Sequence, residues 1–233
     1  MQKKEQKEQD ALDVRLITAA SKGDLVEVKK ALSAGAEMGA NGAFALSIAS
    51  ECGHLEVAKY LVEQGIDVNA NDGRALVMSA KNGHLAVVKF LVESGADPCQ
   101  DHGAAFDWAV INGHLEIVEY LVSQGVNVED GNDYALREAD AYGYDAIFQC
   151  LLEAIDWQTK DENGETKLER IKRDEQYKNV VPTVEAYLHE KAEKFLAEKR
   201  AVEMAAAEHF QRHQEVVEFL RANAKPFLLR KRI

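Results

Sequence analysis

The chain has 233 residues, 46 % of them apolar, and a formal charge of −12 from 28 basic and 40 acidic side chains. That length suits one large domain or an elongated stack with an attachment, and the apolar share supports a continuous core. The acidic balance argues against nucleic acid as the main partner, because phosphate binding needs Lys and Arg to displace counterions.

The opening stretch, MQKKEQKEQD, has no apolar run and does not read as a secretory signal. No stretch has the length of a membrane-spanning helix. Both observations predict a cytoplasmic protein without membrane insertion. Cys52, Cys99 and Cys150 form no CxxC pair and read as thiols in a reducing compartment.

From about residue 12 the chain repeats itself. Gly23, Gly53, Gly83, Gly113 and Gly143 stand 30 residues apart, and Gly35, Gly65, Gly95 and Gly125 follow twelve residues after the first four. Leu46, Leu76, Phe106 and Leu136 fall seven before the glycine, and Leu61, Leu91, Leu121 and Leu151 eight after it. The third unit shows what each copy is. In LVMSAKN (76–82), Leu76 and Ala80 lie four apart, which predicts a short helix. Asn82-Gly83 stops it, because Gly accepts the left-handed backbone that closes a helix. HLAVVKFLVES follows, with Leu85, Val88, Leu91 and Val92 as its stripe, and Gly95 ends that helix too. ADPCQDHG is a turn.

Each unit is thus helix, tight turn, helix, loop. Five units are predicted, at about 12–40, 41–70, 71–100, 101–130 and 131–155. None buries its apolar face alone, so stability is shared between stacked neighbours. Unit one carries Asp24 where later units have His, with Lys29 and Lys30, as suits a solvated end. Unit five has Ile155 in place of its second glycine, and the regular solenoid is expected to stop there.

GHLEVAKYLVEQGIDVNA closely resembles the ankyrin repeat. The resemblance covers residues 12–155 and implies an all-α solenoid that binds another protein. The usual ankyrin period is about 33, with Thr-Pro-Leu-His opening the first helix. Here the openings read AFALSIA, GRALVMSA, GAAFDWA and NDYALREA, and the loop is shorter. This looks like the tight-loop variant of large DNA viruses and intracellular bacteria. The shortened loop moves binding from the loops towards the first-helix face. The same resemblance raises the reading of a secreted effector acting in a host cytoplasm.

Residues 156–181 form a charged connection, read as exposed and helical after Thr166. A helical cap is expected over 182–233. Pro182-Thr183 opens a long helix running to about His209, with Val184, Leu188, Phe195 and Val202 on one face. This helix is expected to fold against the fifth unit as its cap. HQEVVEFLRANA (213–224) matches HLEIVEYLVSQG and reads as the second helix of a degenerate ankyrin-like unit. The terminal KPFLLRKRI is a docked tail or a short binding motif.

No catalytic constellation is visible, and neither a cofactor nor a metal is called for. His54, His84 and His114 occupy equivalent places in successive units, so they stand about 8–10 Å apart and cannot share a zinc ion. Each is expected to cap its own turn. HEKAE (189–193) lacks the second histidine of the HExxH zinc motif. His209 and His213 are half a metal site. The expected activity is therefore non-enzymatic binding of a partner protein by a monomeric stack. The alternative is an adaptor whose region 157–233 carries a separate activity or the main partner site.

The candidate partner-binding residues lie in the variable columns of the repeat: Arg74, Met78, Trp108, Ile111, Tyr134, Arg137 and Tyr142. Aromatic residues and arginine dominate interface energetics. The column of Ile48, Met78 and Trp108 often carries Leu in ankyrin repeats, so core packing is open for these as well.

Overall fold

The computed structural model describes residues 2–128, 134–160 and 163–228. The chain divides into two units, Met1–Val180 and Val181–Ile233. In the first, five helix pairs follow one another: α1 (Gln2–Lys22) with α2 (Leu25–Ser33), α3 (Ala40–Glu51) with α4 (Leu55–Glu63), α5 (Ala70–Lys81) with α6 (Leu85–Glu93), α7 (Gln100–Ile111) with α8 (Leu115–Ser123), and α9 (Tyr134–Tyr142) with α10 (Asp145–Ala154). The first helices pack in series, α1 on α3, α3 on α5, α5 on α7 and α7 on α9; the second helices form a parallel row. The fold is the all-α repeat solenoid that the 30-residue spacing predicts.

The repeated columns are its core. Leu46, Leu76, Phe106 and Leu136 are buried, as are Leu61, Leu91, Leu121 and Leu151. Ala49, Ser79, Ala109 and Ala139 are buried too, and small side chains there let first helices approach closely. In α6 the buried face centres on Val87, Val88 and Leu91; Leu85 and Val92 are only half-buried. The stripe is thus turned from the expected one, because the second helix faces both its own first helix and the next unit.

The loops carry left-handed turns. α5 opens with Asn71, Asp72 and Gly73 at φ of 54°, 57° and 68°. Asp101, His102 and Gly103 repeat this at the start of α7, with φ of 51°, 54° and 80°. Asn and Asp tolerate this conformation better than most residues.

Ile155 marks the end of the repeats. It is extended, at φ −77° and ψ 134°, and buried, where Gly125 takes φ +85°. The chain then leaves the solenoid path. Segment 156–180 is charged, yet it is more than an exposed connection. Trp157, Ile171, Tyr177 and Val180 are buried, and the Trp157 indole donates to the Leu152 carbonyl at 2.9 Å. Helix α11 (Lys167–Arg173) starts after Thr166 as its sequence predicts, with a reciprocal Thr166–Glu169 capping box. A short 3-10 turn, Glu175–Tyr177, follows, and Gln176 accepts from Arg137 of α9 at 2.6 Å. Segment 156–180 is thus tied to the fifth unit through Leu152 of α10 and Arg137 of α9.

The second unit contains α12 (Val181–Leu228). The expected break between a helix ending near His209 and another over 213–224 is absent, and one helix runs through both. In the true repeats a glycine makes that break; Arg212 stands at the matching place and continues the helix. Its apolar stripe is buried at Val184 and half-buried at Leu188, but Phe195 and Val202 are exposed. The side chains of His209 and His213 and the tail from Leu229 to Ile233 lie outside the described residues. Among the described residues no helix is long and apolar enough to cross a membrane.

Candidate partner-binding face

What holds the units in register also decides which side chains are left for binding. The imidazole Nε2 of His54 lies 3.0 Å from the Ser21 carbonyl, that of His84 2.9 Å from Glu51, and that of His114 3.0 Å from Lys81. A carbonyl only accepts, so Nε2 carries the proton and donates. Each histidine therefore reaches back to the preceding unit; none caps its own helix with its side chain. The expected capping role is corrected accordingly. The ring lies flat on the preceding glycine. A Cβ at Gly53 would sit 2.7 Å from His84, and one at Gly83 2.7 Å from His114. Tyr144 replaces histidine in the fifth unit and covers Gly113 in the same way.

These interlocks commit the turn glycines and histidines to structure. Variation is left to the outer positions of the first helices. Trp108 on α7 keeps 37 % of its surface exposed, and the Lys81 ammonium of α5 stands 4.3 Å over its ring. This joins neighbouring units by a cation–π contact. Asn82 and Asn112 donate to the carbonyls four residues back, of Met78 and Trp108, at 2.9 and 2.8 Å, and close the first helices beneath this surface.

The next unit adds a second cluster. Arg137 stands 5.0 Å over the Tyr134 ring, bonds Glu138 through Nε and Nη2 at 3.4 and 3.3 Å, and donates to Gln176 at 2.6 Å. Tyr142 is 56 % exposed and stacks on Tyr144 with ring centroids 5.7 Å apart. Desolvation, then Glu138, pushes the Tyr134 phenol above its ordinary range, and Tyr142 and Asp107 lie within its electrostatic reach. Tyr134, Arg137 and Tyr142 thus share one surface. Met78 and Ile111 are half-buried, and Arg74 is exposed.

Sequence reasoning places Lys81 and Phe44 in variable columns without selecting them, and it passes over Val14. Lys81 holds the indole of Trp108. Phe44, 39 % exposed, shares the column of Arg74 and Tyr134, and Val14, 64 % exposed, begins that column in the first unit. Column position alone would have found both. Asp107, beside Trp108, has its carboxyl pushed up by burial to about 6. Cys52 and Cys99 are exposed free thiols, and burial raises the Cys150 thiol above its ordinary value.

Comparison with known families agrees with the geometry. A model of three ankyrin-repeat copies matches residues 16–102, and a single ankyrin-repeat model matches residues 104–133. No curated protein matches the chain significantly.

Proposed function

The chain belongs to the ankyrin-repeat family, whose members are protein–protein interaction modules, and on that premise we propose that it is a non-enzymatic binding module gripping a partner protein along its first-helix face. The observation that carries this is Trp108, a tryptophan open to solvent over a third of its surface in the middle of the stack. Core packing would have closed it off. Tyr142 adds a second exposed aromatic ring from the following unit. Large amphipathic side chains on a rigid scaffold lose little entropy on binding and are common anchors of interfaces.

The test is a quantitative pull-down from cell lysate with wild type and Trp108→Ala/Tyr142→Ala. Both substitutions change exposed side chains, so the fold is expected to survive. Selective loss of one protein supports the reading; identical recoveries overturn it. A second reading places the main site on α12, where Phe195, Val202 and Phe219 are 66, 70 and 68 % exposed. Loss of the partner with Phe195→Ala/Val202→Ala, and not with the first-helix variant, would favour it. Action in a host cytoplasm as a secreted effector is a further proposal, supported by the resemblance of the tight-loop repeats.

A further inference from the structure

Helix α12 has 48 residues, and one stripe along it recurs at an interval of seven: Leu188, Phe195, Val202 and Val216, with His209 the polar member of the series. Phe195, Val202 and Val216 are 66, 70 and 56 % exposed, and Leu188 is half-buried. An α-helix turns once in about 3.6 residues, so an apolar series of strict period seven drifts around a straight helix and stays continuous only against a second helix wound about it. From Leu188 to Val216 the stripe is about 42 Å long. The next longest helix among the described residues, α1, has 21 residues, or about 30 Å. No other single described helix spans the stripe; a second α12 does.

The charges beside the stripe change sign along it. Lys194, immediately before Phe195, belongs to a column of the same period that continues as Ala201, Glu208 and Glu215. Lys199 lies on the other flank, between Phe195 and Val202. Among the described residues Lys194, Lys199 and Glu215 make no ion pair, and Glu208 pairs with Arg212 at 3.5 Å where both are exposed. Two parallel α12 helices would set Lys194 against Lys199 of the other copy. In an antiparallel pair the Lys194 column meets itself reversed, lysine against glutamate, and flanking charges of this kind set the orientation of paired helices. With Lys194 opposite Glu215, Leu188 faces Phe219 and Val202 faces Ala205; with Lys194 opposite Glu208, Val202 would face Glu198 instead. We propose that the stripe is covered by a second copy of this chain, the two α12 helices antiparallel in a two-fold symmetric dimer, with Lys194 of each copy beside Glu215 of the other. The dimer carries two first-helix faces, which raises avidity for a partner present in several copies.

Sedimentation velocity of the full chain over about a hundredfold concentration range reads the assembly, and a monomer–dimer equilibrium is expected. Phe195→Asp/Val202→Asp should abolish the dimer; both side chains are exposed, and circular dichroism checks that the helices persist. Lys194→Glu should weaken the dimer at least about threefold, since two symmetric pairs turn from attraction to repulsion. Lys194→Glu/Glu215→Lys should restore it, a rescue that does not depend on how the apolar variant folds. Strengthening by Lys194→Glu marks a parallel pair and overturns the inference, as does a dimer indifferent to Phe195→Asp/Val202→Asp. A monomer at every concentration also overturns it and leaves the stripe to a different protein or to this chain's own solenoid. None of these outcomes touches the first-helix reading, which the Trp108 variant tests separately.

Discussion

Gly83→Ala separates the two things a turn glycine does in this solenoid. Gly83 takes φ +77°, and a Cβ there would meet His114 at 2.7 Å. Gly95, twelve residues on in the same unit, takes φ +96° with nothing within 4 Å of a Cβ. Either alanine pays for left-handed backbone, about 1–2 kcal/mol. Only Gly83→Ala must also push the imidazole off the preceding unit. That breaks the bond from His114 to Lys81 and leaves a partly buried donor and acceptor unmatched, roughly 1–3 kcal/mol more. Gly83→Ala should therefore cost about 3 kcal/mol and Gly95→Ala about half that. With urea slopes of roughly 1–3 kcal/mol per molar, the midpoints should differ by on the order of 1 M. His114→Ala in the Gly83→Ala background relieves the clash, so the double variant should be less damaged than the sum of the two. Equal midpoints for Gly83→Ala and Gly95→Ala would refute the interlock and reduce the glycine to a simple helix stop.

Other outcomes follow from the same contacts. Asp107 titrates at about 6 in the fold against an ordinary 3.8, so the folded state holds its proton more tightly than the unfolded one. Its ionisation therefore weakens the fold above pH 6, and that penalty disappears as the pH falls towards 4. Asp107→Asn should raise the urea midpoint at pH 7.5 and leave it unchanged at pH 4; a loss of stability at pH 7.5 would contradict the burial argument. Trp157→Ala removes a buried indole and its bond to Leu152. It should cost about 3–5 kcal/mol, with hydrogen exchange accelerated first in α9 and α10. Trp108→Ala removes an indole that is 37 % exposed and its Lys81 contact, so it should lower stability by about 1–3 kcal/mol while abolishing partner capture. Thr166→Ala should cost about 1 kcal/mol through loss of the α11 cap, seen as faster exchange confined to that helix.

Much of the solenoid is legible in the glycine and leucine columns, because a repeat buries the same positions in every copy. Leu46, Leu76, Phe106 and Leu136 are core for the reason their spacing suggests. Ile155 announces the end of the stack, since a β-branched residue strongly disfavours the left-handed turn that Gly125 takes. The histidines are visible as a column, but not what they bond. Their acceptors lie 33 residues back, a distance that local turn chemistry does not reveal. The burial of segment 156–180 is hidden because Trp157, Ile171 and Tyr177 are scattered among charges without a helical or strand period. Likeness of HQEVVEFL to a repeat helix is real as a pattern, yet without a glycine before it the helix does not break.

The sequence by itself determined the unit, its period and the number of copies, because backbone turns and apolar spacing are local properties. It also named the columns free to vary. Which of those variable side chains stand open was decided only by stacking: Lys81 reaches the next unit's Trp108, Arg137 is drawn away to Gln176, and Asp107 is left without a cation. Those pairings depend on where neighbouring units place their helices. A column of letters records which residues recur at a position, and packing alone sets which of them meet.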